Sequence, residues 1–75
     1  MPTNETMYKC IEAERARNGM TIEEFTEAID VSEKTYRNWR AEQKSISSAM
    51  LIKIATLFGC STDYLLGLSD KVRNA

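Results

Sequence analysis

The chain predicts an all-α fold, one small domain of five helices in which the second and third form a helix-turn-helix. Three observations predict it. Thr21 and Ser32 each precede an apolar run of helical spacing, Thr21 with Glu24 three residues later as a capping box, and only Asp30-Val31 lies between the runs. Apolar residues recur at three- and four-residue steps, as Ile22, Phe25 and Ile29 and again as Met50, Leu51, Ile54, Ala55, Leu57 and Phe58. Gly19, Gly59 and Gly67 stand where such runs stop.

The first helix is expected from about Thr6 to Asn18, with Met7, Tyr8, Cys10, Ile11 and Arg15 along its inward edge and Gly19 as its left-handed stop. The second runs from Ile22 to Ile29 and buries its apolar stripe. Asp30-Val31 is a turn too short for anything but a sharp change of direction, with Val31 wedged between the helices. The third helix follows from Glu33 to about Glu42, and positions 43 to 46 form a polar loop. Ser47 or Ser48 caps the fourth helix, which carries the strongest apolar periodicity and ends at Gly59. Ser61 caps a short fifth helix, Thr62 to Leu66, closed by Gly67. The core is expected over residues 8–68, with 1–5 and 69–75 flexible.

At 75 residues there is room for one domain, and a chain this short buries only about 60% of its unfolded surface, so it gains from oligomerising. A composition of 43% hydrophobic and 28% charged residues suits a folded soluble protein. No apolar run approaches the roughly 20 residues that span a bilayer, and the start MPTNET lacks a signal segment, so a cytosolic location with no membrane contact is expected. Cys10 and Cys60 are isolated, which argues against a zinc site, a redox dithiol or any other metal or cofactor; both are expected to stay reduced and pack as small apolar side chains. Histidine is absent, which removes the usual general base at neutral pH and makes an enzyme the poorest of the function classes.

A net charge of −1 speaks against nucleic acid only as a global statement. Residues 20–31 hold Glu23, Glu24, Glu27 and Asp30 and no base, whereas residues 32–44 hold Lys34, Arg37, Arg40 and Lys44 against Glu33 and Glu42. That segregation permits a basic face on an acidic chain, and phosphates feel the local potential within a Debye length of about 8 Å.

Counting from Ser32, positions 33, 34, 37, 38 and 41 share one helical face while Tyr36 and Trp39 point elsewhere. An α-helix fits the major groove, where Arg37 and Lys34 can donate to guanine, Asn38 can pair with adenine and Glu33 can accept from cytosine. The plain alternative is a solvated helix face, as most charged helical faces are. What favours double-stranded DNA is the capped helix and short turn that precede this one. Tyr36 and Trp39 are expected in the core by their spacing, with the Tyr36 hydroxyl emerging to reach a phosphate. Helix N-termini attract phosphate through unpaired amides, so the starts at Thr21, Ser32, Ser47 and Ser48 are candidates, with Arg40 and Lys44 adding charge. The same hydroxyls also serve as ordinary caps, and the two roles do not exclude one another.

The pattern ER-R-G-MT-EEF-E-I-VS-KTY-NW, followed by LIKIATLFGCSTDYLLGL, resembles the Cro/C1-type, or Xre-type, helix-turn-helix domain of phage repressors and bacterial regulators, from Tyr8 to Leu68. The resemblance implies a compact, five-helix, lambda-repressor-like domain whose third helix recognises DNA, usually as a homodimer on an inverted repeat. By position its base-reading sites fall on Glu33, Lys34, Arg37 and Asn38. Its phosphate sites fall on Ile22 by the backbone and on Ser32, Arg40, Lys44 and the start of the fourth helix. This chain departs from it in carrying Ile22 where glutamine is frequent, Thr26 for a small alanine and Asp30 for the glycine of the turn. Many members also pair an arginine near the end of helix one with a glutamate in helix three. Here those positions are Arg15 and Arg40, so Arg40 is expected to turn outward to DNA while Arg15 finds Glu12 or another carboxylate.

The function expected is a small transcriptional regulator, a repressor of phage or mobile-element type, with no effector domain and no small-molecule ligand. Tyr64, Leu68 and Val72 are the expected dimer surface, which would set two recognition helices about 34 Å apart on successive major grooves. The rival is a protein-interaction module such as an antirepressor or an antitoxin, favoured by the acidic second helix.

Overall fold

The computed structural model describes residues 3–68, which form five helices: α1 (Asn4–Arg17), α2 (Ile22–Ala28), α3 (Glu33–Glu42), α4 (Ser48–Phe58) and α5 (Thr62–Leu65). Each opens on a hydroxyl N-cap in extended backbone, in turn Thr3, Thr21, Ser32, Ser47 and Ser61, whose side-chain oxygen accepts from the amide three residues on. Thr21 and Glu24 complete the capping box in both directions. Ser47, rather than Ser48, caps α4.

The first helix starts earlier than its apolar pattern suggests. Thr3 caps it, and the Asn4 amide donates to the Gln43 carbonyl (2.8 Å) and the Ser45 hydroxyl (3.2 Å), which ties the first turn to the loop after α3. Its inward edge is Met7, Tyr8, Ile11 and, unexpectedly, Glu14, which is 2% exposed and takes two hydrogen bonds from Arg17 at 3.0 and 2.6 Å. A carboxylate at so dry a position is tolerable because its charge is answered there.

Between α2 and α3 the chain turns at Asp30, which adopts a left-handed φ of 62°. Its short polar side chain tolerates that region better than most, which lets it stand where a glycine would be easiest. The Asp30 amide donates to Glu27 and the Val31 amide to Thr26, closing the end of α2. Thr26 is itself buried, and its hydroxyl donates to the carbonyls of Ile22 and Glu23, so no polar atom is stranded against α3. Gln43 ends α3 in the same left-handed region at φ 51°.

Ile11, Phe25, Ile29, Tyr36, Ile54 and Leu65 are fully buried and join all five helices in one core. Phe25 stacks on Phe58 with centroids 5.4 Å apart and meets Tyr36 edge-to-face at 5.1 Å, while Tyr8 also meets Tyr36 edge-to-face at 6.4 Å. Burial of side chains this size contributes roughly 1.5–3 kcal/mol each. Val31 and Trp39 seal the core partly buried, and so do Cys10 and Cys60. The fold therefore fixes α3 by its Tyr36 side and leaves its opposite face to solvent.

Candidate nucleic-acid interface

On the outer face of α3, Lys34, Arg37, Asn38 and Ala41 are exposed and Glu33 is half-buried. Lys34 and Asn38 engage no other side chain among the described residues. Arg37 donates from Nη2 to Glu33 Oε1 at 2.7 Å, an ion pair one helical turn long with both side chains about half exposed. Pairs of this kind are worth only about 0.3–0.5 kcal/mol, so the fold does not withhold Arg37 from a partner.

Tyr36 overturns one expectation. Its side chain is fully buried and its hydroxyl donates to Glu12 Oε2 at 2.6 Å, so it cannot reach a phosphate. Burial, together with the hydrogen bond and charge of Glu12, pushes the phenol far above its ordinary range and keeps it a donor.

Arg40 is the second correction. It does not turn away from the fold: its Nη1 sits 2.9 Å from Glu12 Oε1, and its guanidinium lies 5.8 Å from the centroid of the Tyr36 ring. Arg15 reaches the same carboxylate at 2.9 Å, as expected of it, and donates from Nη1 to the Met20 carbonyl. Glu12 thus accepts from α1 and α3 together, with one negative charge between two guanidinium groups and a phenol. Burial alone would raise the Glu12 carboxyl, but the hydrogen bonds from Arg15 and Tyr36 and the charges of Arg15 and Arg40 outweigh it and hold its pKa below the usual carboxylate value. One carboxylate against two cations leaves the cluster net positive. The Arg40 side chain stays 36% exposed, so it adds to the potential beside α3 while it anchors the helix.

Sequence reasoning missed Glu12 as this hub. Its i, i+3 relation to Arg15 was legible, whereas its meeting with Tyr36 and Arg40 depends on how α1 crosses α3.

Of the helix starts, α2 presents free amides at Ile22 and Glu23, because the Thr21 amide donates to Glu24 and the Glu24 amide to Thr21. Those amides lie among the carboxylates of Glu23 and Glu24, which already answer the helix dipole. The start of α3 carries Glu33, and its Ser32 hydroxyl is spent on Thr35 Oγ1 at 2.7 Å. The start of α4 has no acid in its first turn, and Ser47 and Ser48 are both exposed, so its amides are the least opposed of the three. Lys44, 57% exposed and 3.7 Å from Glu42, lies on the loop leading there, and its carbonyl accepts from the Tyr8 hydroxyl at 2.7 Å. Tyr8 and Asn4 of α1 therefore set the course of the loop between α3 and α4.

At the other end, Leu68 is 63% exposed and borders a groove of about 210 Å3 lined by Thr3, Asn4, Met7, Leu66 and Leu68. Tyr64 is half-buried and meets the Cys10 thiol of α1, while Val72 lies outside the described residues. No group of three or more metal-ligating side chains occurs among the described residues, and no helix there is long and apolar enough to cross a membrane.

A helix-turn-helix family model matches residues 11–65 of the chain. The chain is also similar to the uncharacterized helix-turn-helix-type transcriptional regulator YobD of Bacillus subtilis (strain 168), with 34% identity over 56 residues that cover 75% of this chain and 50% of that protein. It thus spans about half the length of the curated relative it matches. No solved structure matches it.

Proposed function

Because the chain belongs to the Cro/C1-type helix-turn-helix family, we propose that it is a sequence-specific DNA-binding transcriptional regulator that lays α3 in the major groove. The observation that carries this is the outer face of α3. Its base-reading candidates Glu33, Lys34, Arg37 and Asn38 stand free of the core, while Tyr36 and Arg40 on the inner side hold the helix against α1 and α2. A rigidly mounted helix that presents a polar face to solvent is what direct readout requires.

Around it, the exposed Ser47, Ser48 and Lys44 make the start of α4 the main phosphate contact, with Ser32, Thr21 and the Ile22 amide as lesser ones and Arg40 as a source of field. Two copies acting as a homodimer on an inverted repeat are supported by the apolar rim at Tyr64 and Leu68 and its neighbouring groove, with Val72 following in sequence. Repression in the cytoplasm is the output proposed, since a bound domain blocks a duplex by occupying it.

Selection of random duplexes at near-physiological salt tests the proposal, with the Lys34→Ala, Arg37→Ala double variant alongside. Enrichment of an inverted repeat by the parent and its loss in the variant are expected. A parent that enriches nothing would move the assignment to a protein-interaction module.

A further inference from the structure

Glu33 and Arg37 bond to each other and to no other side chain among the described residues, one turn apart on the exposed face of α3, with Arg37 Nη2 2.7 Å from Glu33 Oε1. We propose that the two read a single G·C base pair as one unit, guanine opposite Arg37 and cytosine opposite Glu33. The inference rests on the DNA-reading function above and adds the identity of one base pair to it.

The bonded pair and the base pair have matching edges. In the major groove a G·C pair shows, in order across the pair, guanine N7 and O6 as acceptors and the cytosine N4 amine as a donor. Arg37 spends one of its five N–H groups on Glu33 and keeps the others, and Glu33 keeps its Oε2, which accepts nothing within the described fold. The bonded pair therefore offers donors on the arginine side and an acceptor on the glutamate side, the complement of that edge. Both groups can read without giving up the bond between them.

An A·T pair shows acceptor, donor, acceptor, which sets its adenine amine against the guanidinium and thymine O4 against the carboxylate. The reversed C·G pair sets its amine against the guanidinium and N7 against the carboxylate. The pair cannot reverse to suit it, because the order Glu33 then Arg37 is fixed by the direction of the helix. The bond also biases Arg37 toward the paired rotamer, which spares a small part of the entropy that a free arginine loses on binding.

Three selections on random duplexes test this, with the 75-residue chain, its Glu33→Ala variant and its Arg37→Ala variant. The parent is expected to enrich a site with one G·C pair that both variants relax, each losing roughly five- to hundredfold of discrimination at that same pair. The double variant should lose little more there than either single one, as coupled residues do. A duplex with 7-deazaguanine at that position, lacking N7, should weaken the parent and leave Arg37→Ala unaffected, and this arm does not depend on how Glu33→Ala folds. Relaxation at two different pairs, or a Glu33→Ala variant with unchanged preference at every position, overturns the paired reader and leaves DNA recognition standing. A parent that enriches no site overturns both.

Discussion

Glu12 answers two guanidinium groups and a buried phenol with one charge, and its removal strands them. Glu12→Ala leaves the Tyr36 hydroxyl without an acceptor in the core, so a loss of about 2 kcal/mol or more is expected in urea unfolding, and less for Glu12→Gln, which keeps an acceptor. The folded pKa of Glu12 is depressed, so its contribution is complete above the unfolded value of about 4.3 and disappears as pH falls through the lower folded one. The stability gap between the parent and Glu12→Gln should therefore narrow on acidification through that window. A constant gap would mean that Glu12 is not held ionised by Arg15 and Arg40. At this scale the sequence was half legible. Arg15 found Glu12 as local spacing suggests, but Arg40 was expected outward because a cation is easily placed in solvent, and its partner lies 28 positions away in another helix.

Helix starts were the most legible elements, since a cap acts within three residues of itself and Thr21, Ser32 and Ser61 each begin the helix expected of them. The start of α1 was not, because what extends it to Asn4 is a pair of hydrogen bonds to Gln43 and Ser45, some forty residues on. Helix ends carry a different lesson. Gln43 takes a left-handed φ of 51° without glycine's freedom or the short polar side chain that suits Asp30 to its φ of 62°. Gln43→Gly is accordingly expected to stabilise the chain by about 0.5–1 kcal/mol, the relief of backbone strain exceeding the added entropy of the unfolded state, and Asp30→Gly by less. Thermal melts of the two variants check the order, and a destabilised Gln43→Gly would show that its side chain contributes more than its backbone costs.

For the molecule as a whole, charge and oligomeric state are joined. The chain is net acidic, yet Lys34, Arg37, Arg40 and Lys44 gather on or beside one helix. DNA affinity should fall steeply with salt, and Lys44→Ala should reduce the log–log slope by about one if that lysine meets a phosphate. If two copies share the Leu68 rim, the melting temperature should rise with protein concentration through the high micromolar range, and Leu68→Glu should abolish the rise; a concentration-independent melt leaves a monomer. The knot of Glu12, Tyr36 and Arg40 also bears on descent. Side chains that close on one another across α1 and α3 are expected to be inherited as a set, since a change in one strands the rest. Lys34 and Asn38 bond to no other side chain among the described residues and can diverge one at a time. Lineages of this protein should therefore acquire new operators without refolding, each trying new letters on a mount that stays the same.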